Sequence, residues 1–432
     1  MLSIILRQPQ LHSNVATTVS ACGIYLNNKT LPYRPISHHL GTFEANNYNI
    51  GDLITSTRTE RQTQLGISKR TLSTLKNKYT PVKVSKDERS KFMAIYPDVL
   101  QDLAQIAEKS KTKETVDWLR KAVDYNMSPT NGKCGLISVL THKSLVKDDQ
   151  LSAEKLRLSH LLGWCVELLH CALLIADDMV DNGTARRGQL CWQKLEEVGV
   201  NAISDALMIE NCIYELLKKH FRHLDCYVDL IELFRENTFK CISGQSLDML
   251  LSKRSVDTFN MDIYNTLVMN KTSNHFFSLP IMLGLHLAGG AAKEEDVKDR
   301  KIFDACEAIT IELGQFLQIQ NDFLDCFGNP DVTGKIGTDI QANKCSWLAV
   351  QCMERANPEQ RAIMEECYGQ YDPQKIARVR QVYMELNLPN TYAKYEEETY
   401  NRIKTLIHKE SDGLPREALL EILNTLFEKN IK

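Results

Sequence analysis

Three aspartates directly follow an apolar run of this chain, in a pattern that suits divalent-metal chemistry. Asp177 and Asp181 are four positions apart and therefore share one face of a helix, with Asp178 beside them. Carboxylates this close repel one another unless a cation compensates. Hard oxygen ligands in an open arrangement suit Mg²⁺ that also contacts phosphate oxygens. Arg186 and Arg187 follow shortly afterwards and can donate hydrogen bonds to the same phosphates.

A second acidic cluster lies far along the chain. It contains Asn321, Asp322 and Asp325, and the two aspartates are again on one helix face. A single motif of this kind is as often a solvated acidic turn. Two of them, each at the end of an apolar helix and each followed by basic residues, predict a magnesium and diphosphate site in the mouth of a helix bundle.

Helices must position these residues, because helical periodicity dominates from about Lys86 onward. Leu158, Leu161 and Cys165 follow the three-and-four spacing of one helix face. No alternating strand pattern persists over more than a few residues, and glycine and proline are confined to a few short segments. The predicted fold class is all-α, a large antiparallel helix bundle around a central cavity.

Composition narrows the function classes. A net charge of -3 gives no global basic field for nucleic acid or an anionic membrane, and no stretch approaches the ~18 uninterrupted apolar residues expected of a membrane-spanning helix. The 13 cysteines are odd in number and irregular in spacing. They are predicted to be buried free thiols in a reducing compartment.

The N-terminal segment differs from the rest. No acidic residue precedes Glu44, whereas Arg7, Lys29 and Arg34 lie among many Ser, Thr, Asn and His residues. Residues 1–85 are therefore interpreted as a mitochondrial transit peptide, and residues 86–432 as the catalytic domain. The alternative is a disordered N-terminal tail that carries no targeting signal, on a cytoplasmic protein.

From about residue 90 to the C-terminus, the chain resembles the trans-isoprenyl diphosphate synthases, and within them the farnesyl diphosphate synthase branch. Four segments carry the resemblance: residues 163–169, 176–181, 186–189 and 334–347. It implies an all-α prenyltransferase bundle, an allylic diphosphate substrate and a homodimer. It also implies three Mg²⁺ ions per site, with Mn²⁺ or Co²⁺ left open because oxygen ligands accept all three metals.

The resemblance also implies roles for individual residues. The metal ligands are expected to be Asp177, Asp178, Asp181, Asn321, Asp322 and Asp325. The catalytic residues are expected to be Arg186, Lys271, Thr272 and Lys335, all in contact with the allylic diphosphate or its surroundings. Further substrate-binding positions are Arg187, Asp248, Gln318 and Lys344.

Departures from the family concentrate where the second substrate, isopentenyl diphosphate, binds. The lysine and arginine of its G-K-x-x-R clamp fall on Asn131 and Cys134, and a glutamine of that subsite falls on His170. Lys133, shifted by two residues, is the candidate replacement, and Arg187 is retained. Each lost cation near a phosphate is worth about 1 kcal/mol in water and up to about 4 kcal/mol at an effective dielectric constant of 20.

Residues predicted to form the cavity wall also differ from those of the family. Ala172 and Leu173 occupy the positions where animal farnesyl diphosphate synthases have aromatic residues on the pocket floor. We therefore expect these two residues to contact substrate in a deeper cavity with room for a folded C15 chain. Asn270 replaces an aromatic residue beside Lys271.

The residues for ionising the allylic diphosphate look intact, whereas those for binding isopentenyl diphosphate are weakened. This combination favours a terpene synthase, which ionises geranyl or farnesyl diphosphate and lets the cation cyclise or lose a proton. The first alternative is a short-chain prenyltransferase that makes geranyl or farnesyl diphosphate. Two further alternatives, a non-catalytic regulatory paralogue and a helical lipid carrier, do not require the two carboxylate clusters.

Overall fold

A computed structural model describes residues 86–127, 130, 132–289, 297–329, 333, 337–409 and 413–428. The predicted transit peptide, residues 1–85, lies outside the described residues. Its role stays a prediction, which imaging of a tagged chain in cells would test.

The all-α prediction is confirmed, since helices make up most of the described chain. The N-terminal half contains α1 (Lys86–Ala94), α2 (Tyr96–Ala107), α3 (Lys113–Met127), α4 (Lys133–Leu145), α5 (Ala153–Val180), α6 (Ala202–His220) and α7 (Tyr227–Leu251). The C-terminal half contains α8 (Met261–Val268), a π-helix (Met269–Ser278), α9 (Leu279–Leu287), α10 (Val297–Phe327), α11 (Trp347–Arg355), α12 (Pro358–Cys367), α13 (Pro373–Glu385), α14 (Leu388–Lys409) and α15 (Arg416–Glu428).

Helix α5 is the core helix of the bundle. The Ser152 hydroxyl caps its N-terminus by accepting a hydrogen bond from the Lys155 amide, 3.2 Å away. Every side chain from Ser159 to Ala172 is buried. Alone among the described helices, α5 is long and apolar enough to cross a membrane, with a mean hydropathy of 1.7 over 18 residues. However, 83% of that window is buried inside the protein, as in a core helix.

A close glycine contact fixes α5 against α4. A Cβ atom added to Gly163 would lie 2.7 Å from the Gly135 carbonyl oxygen, and one added to Gly135 would lie 2.4 Å from the Gly163 oxygen. Only residues without a side chain let the two backbones approach so closely. Phe92 of α1 packs over both glycines and stacks on Trp164 with ring centroids 4.8 Å apart. This contact helps to fix the position of α5, which carries the first aspartate cluster at its C-terminal end.

A tight hairpin follows α5. Strands β1 (Ala185–Arg186) and β2 (Gln189–Leu190) pair antiparallel through Arg187 and Gly188, whose φ angles are 55° and 81°. Two successive positive φ angles are typical of a type I′ turn. Tyr125 of α3 holds the hairpin, because its hydroxyl donates to the Leu190 carbonyl and its own carbonyl accepts from Gln189, both at 2.8 Å. The hairpin thereby returns Arg186 to the aspartates at the end of α5.

The π-helix is enclosed by two glycines. A Cβ atom on Gly244 of α7 would lie 2.5 Å from the Lys271 backbone nitrogen, and one on Gly314 of α10 would lie 2.1 Å from Ser273 Oγ. Pro280, which follows the π-helix, has no amide hydrogen to continue the helical ladder. A π-helical turn inside an α-helix is frequent at functional sites, and this one carries Lys271.

The cysteines of the described region are all free, and most are buried. Burial raises the pKa of the Cys165 thiol well above its ordinary value, so that thiol stays protonated and unreactive. This agrees with the interpretation of the cysteines as buried free thiols.

Candidate functional site

Arg186 binds the first two aspartates of the cluster. Its Nε and Nη2 atoms donate to the two carboxylate oxygens of Asp178, both at 2.7 Å, and Nη2 also donates to Asp177 Oδ2 at 3.0 Å. The bidentate arrangement fixes the plane of the guanidinium group. The local spacing predicted from the sequence is therefore realised, with the hairpin supplying the cation.

Two lysines from distant parts of the chain complete this group. Lys271 Nζ donates to Asp248 Oδ2 at 2.7 Å and lies 3.2 Å from Asp177 Oδ1. Lys344 Nζ donates to the same Asp248 oxygen and to Asp181 Oδ1, both at 2.8 Å. Asp248, buried on α7, thus holds both lysines beside the aspartates of α5. Three cations and four carboxylates meet at this end of the bundle.

Burial and charge set the ionisation of this group. Burial opposes ionisation of Asp177 and Asp248, but nearby cations, Lys271 foremost, outweigh it and lower the pKa of both carboxyl groups. Burial also opposes the charge of Lys271, yet Asp177 and Asp248 raise its pKa. Burial and the charge of Asp177 raise the pKa of Asp181. The lysines are therefore charged and available to an anionic ligand.

The second cluster is tied to the π-helix by a chain of hydrogen bonds. Thr272 donates to Gln318 Oε1, and Gln318 donates to Asp322 Oδ1, each at 2.8 Å. The other oxygen of Asp322 accepts from the Tyr264 hydroxyl and the Trp347 amide, also at 2.8 Å. The predicted polar residues Thr272 and Gln318 therefore meet, and Asp322 joins three elements of the fold.

The members of the second cluster differ in their surroundings. Asp322 is buried, and burial raises the pKa of its carboxyl to about 6. Asp325 Oδ2 accepts a hydrogen bond from the Asp339 amide at 2.9 Å, and Asn321 is half-buried on α10. Their roles as metal ligands stay predictions. The predicted catalytic Lys335 lies outside the described residues.

The donor set fits Mg²⁺ held jointly with phosphate oxygens. Asp177 Oδ1 is buried, accepts no hydrogen bond from the described residues and lies 3.2 Å from the charged Lys271 Nζ. In the described part of the chain, no three acidic, histidine or cysteine side chains are grouped so that they could hold a metal ion as a cage. A closed cage is not required, because Mg²⁺ at phosphate sites commonly takes one or two carboxylates and completes its shell with substrate and water.

The predicted acceptor side lacks cations at the family positions. Cys134 is 2% exposed and belongs to the hydrophobic core, so its side chain is unavailable to a phosphate. Lys133 beside it is exposed, and Arg187 Nη1 donates to the Asn126 carbonyl at 3.3 Å. Asn131 lies outside the described residues. Among the described residues, Lys133 and Arg187 therefore remain the candidate cations for this side.

The residues predicted to line the cavity differ in their burial. Ala172 is buried, whereas Leu173 is only partly buried. The side-chain amide of Asn270 donates to the Thr266 carbonyl of α8 at 2.9 Å. Their contacts with substrate stay predictions.

His275 was missed by the sequence interpretation. The structure pairs it with the predicted His170, since His170 Nδ1 lies 2.8 Å from His275 Nε2 and both rings are buried. Its position four residues after Lys271, about one helical turn, was the available signal.

Comparison with known proteins identifies the family. The model for the polyprenyl synthetases matches residues 116–386. This chain belongs to the polyprenyl synthetase family. It is 38% identical to the farnesyl pyrophosphate synthase of Nezara viridula over 347 residues, which cover 80% of this chain and 84% of that protein. The Gallus gallus enzyme is 38% identical over 81% of this chain and 94% of its own length. The Homo sapiens enzyme is 41% identical over 72% of this chain and 73% of its own length.

Solved structures agree with the family assignment. A Trypanosoma brucei farnesyl diphosphate synthase in complex with a bisphosphonate superposes with a TM-score of 0.72 and 27% identity. The match covers 80% of this chain and 99% of that structure. The predicted resemblance and the all-α prenyltransferase fold are therefore confirmed, and the chain is an enzyme of the polyprenyl synthetase family.

Proposed function

We propose that residues 86–432 form a catalytic domain that ionises an allylic diphosphate with Mg²⁺ and transfers the prenyl group to isopentenyl diphosphate, giving geranyl or farnesyl diphosphate. The ionising step rests on the group formed by Arg186, Lys271 and Lys344 with their aspartates. The transfer step rests on the similarity to farnesyl pyrophosphate synthases over most of the chain.

Ionisation requires that charge developing on the departing diphosphate be stabilised. Lys271, Lys344 and Arg186 are held in position before substrate arrives, so little reorganisation is needed to turn them to phosphate oxygens. Asp177, Asp181 and the half-buried Asn321 are suited to hold Mg²⁺, which when bound offsets the negative charge on the leaving group. The apolar bundle below keeps water from the allylic cation.

Terpene formation is the second candidate. Its support is the acceptor side, where Cys134 is buried in the core and His170 is paired with His275 rather than free for a phosphate. With fewer cations for isopentenyl diphosphate, the allylic cation would instead cyclise or lose a proton. This reaction uses the same ionising residues.

One assay separates the two candidates. The full chain is incubated with Mg²⁺ and geranyl or farnesyl diphosphate, with and without isopentenyl diphosphate, and volatiles, prenyl diphosphates and released pyrophosphate are measured. For the prenyltransferase we expect elongated diphosphates that appear only when isopentenyl diphosphate is present. Hydrocarbons or alcohols formed without it, and no elongation with it, would instead establish a terpene synthase. No pyrophosphate release from any allylic diphosphate contradicts both proposals.

We further propose a homodimer, as the family resemblance implies, through the exposed apolar side chains of α6, α7 and the turn before α6. Phe239 is 74% exposed and Val200 is 76% exposed, which is unusual for large apolar residues. The surface comprises Val200, Ile203, Leu207, Val228, Phe239, Ile242 and Leu250. The pairs at positions 203 and 207 and at 239 and 242 each share a helix face.

Phe239→Glu is expected to weaken this dimer, because it places a charge in an apolar interface. Sedimentation velocity should show a shift from twice the chain mass to the chain mass at micromolar concentration. Tyr371→Glu is the matched control, since Tyr371 is 81% exposed but lies outside this surface. A wild-type chain that sediments as a monomer argues against the proposed interface.

A further inference from the structure

A buried carboxylate lies between α5 and the start of α4. Glu167 is 2% exposed and follows Gly163, which contacts α4, by about one helical turn. Its Oε2 atom accepts a hydrogen bond from the Thr130 hydroxyl at 2.6 Å, and its Oε1 atom accepts one from the Gly135 amide at 2.9 Å. Both oxygens of this carboxylate therefore hold the chain at the beginning of α4.

Glu167 supplies the side-chain cap that α4 does not provide for itself. The residue before α4 is Gly132, which makes no side-chain hydrogen bond to the helix. The Gly135 amide belongs to the first turn, where amides have no partner within the helix. A carboxylate is favoured at this position because a helix N-terminus carries a partial positive charge. Since the cap comes from α5, it also fixes the position of α4 relative to the core helix.

Thr130 extends this contact into the connection between α3 and α4. Its hydroxyl donates to Glu167 and accepts from the Gly132 amide at 3.3 Å. Its own amide donates to the Met127 carbonyl, at the end of α3, at 2.8 Å. A hydroxyl group is needed here because it can donate and accept at the same time. Glu167 and Thr130 thus form one anchor that ties α3, α4 and α5 together.

The anchored connection carries the candidate cations for isopentenyl diphosphate. Lys133 is the first residue of α4 and is exposed. Arg187 of the hairpin donates to the carbonyl of Asn126, in the last turn of α3, at 3.3 Å. Asn126 and Arg187 line a common cavity with Asp178 and Arg186 of the ionising group. A shift of the connection would therefore move these two cations relative to the allylic diphosphate.

We propose that Glu167 and Thr130 are positioning residues for isopentenyl diphosphate. Both are buried, so they act through the start of α4 and the placement of Lys133. This inference rests on the proposed function, because it concerns the second substrate of the transfer reaction. Lysine carries its charge on a flexible stem, so the protein controls the backbone from which it starts. Holding that backbone in place before substrate arrives reduces the ordering cost of binding.

The ionising group has supports of its own. Arg186 is held by Asp178. Lys271 and Lys344 are held by Asp248. None of these hydrogen bonds involves the anchor at the start of α4, so loss of the anchor leaves the ionising group in place. The effect of removing the anchor is therefore expected on the binding of isopentenyl diphosphate and not on ionisation of the allylic substrate.

The test is Thr130→Val in the full chain, which keeps the shape of the side chain and removes its hydroxyl. In steady-state assays we expect the KM for isopentenyl diphosphate to rise about tenfold or more, which corresponds to about 1.4 kcal/mol, while kcat and the KM for the allylic diphosphate stay within about twofold of wild type. Thr130→Ser, which keeps the hydroxyl, should retain a KM close to that of wild type. Glu167→Gln should raise the same KM, because an amide accepts hydrogen bonds at one terminal atom instead of two, and it serves if Thr130→Val folds poorly.

Thr141→Val is the matched control. Thr141 is also buried on α4, but its hydroxyl donates to the Ile137 carbonyl of the same helix at 2.8 Å. Its KM for isopentenyl diphosphate should be that of wild type. A wild-type KM in Thr130→Val overturns this inference alone, and so does a fall in kcat and thermal stability without a change in KM. Absence of elongation by the wild-type enzyme overturns the proposed transfer reaction and this inference with it.

Discussion

Asp177→Asn is expected to lower turnover of an allylic diphosphate by roughly 10²–10³-fold, the loss typical when one preorganised electrostatic contact to the reacting group is removed. Asn has the same shape but no charge. The substitution removes the carboxylate that faces Lys271 and Arg186, and with it a proposed Mg²⁺ ligand. Steady-state assays of pyrophosphate release would measure the loss.

The same variant should lose its response to ligand. Wild-type protein with Mg²⁺ and pyrophosphate at 100 to 1,000 times the dissociation constant should gain about 3 to 4 kcal/mol in its free energy of unfolding. Asp177→Asn should gain much less. Asp257→Asn, at an exposed position outside the site, is the control and should behave as wild type. If Asp177→Asn turned over substrate as fast as wild type, the proposed role of Asp177 as a metal ligand would be contradicted.

Gly314→Ala is expected to lower both stability and activity. The added Cβ atom would lie 2.1 Å from Ser273 Oγ and 2.4 Å from Ser273 Cα, so the π-helix has to move. Overpacking of this kind typically costs 1–3 kcal/mol. Because Ser273 lies next to Thr272 and close to Lys271, a displacement of about 1 Å could cost roughly 100-fold in rate.

The sign of the stability change makes this prediction specific. At an unconstrained helix position, Gly→Ala raises stability by about 1 kcal/mol through helix propensity. A loss measured by denaturant unfolding is therefore attributable to the contact with the π-helix. The double variant Ser273→Gly with Gly314→Ala removes the Oγ and Cβ contacts but keeps the one to Cα, so it should recover part of the stability. A stabilised Gly314→Ala protein contradicts the close packing.

The helices and the first aspartate cluster of the site could be predicted from the amino-acid sequence. Helical periodicity and scarce helix breakers predict an all-α bundle, because these are local properties of the chain. The grouping of Asp177 and Asp178 was equally predictable, since both lie in the last turn of α5. Arg186 could be proposed as their partner because it follows within nine residues, but the hairpin held by Tyr125 is what returns it to them.

The contacts between residues far apart in the sequence depend on the packing of the helices. Lys344 reaches Asp181 across 163 positions of sequence, and His275 reaches His170 across 105. The enclosure of the π-helix by Gly244 and Gly314 was likewise invisible, because a glycine in a helical pattern does not reveal the backbone it will face. Such contacts depend on how deeply and in which rotation helices pack, and close packing of side chains across the whole bundle sets those quantities.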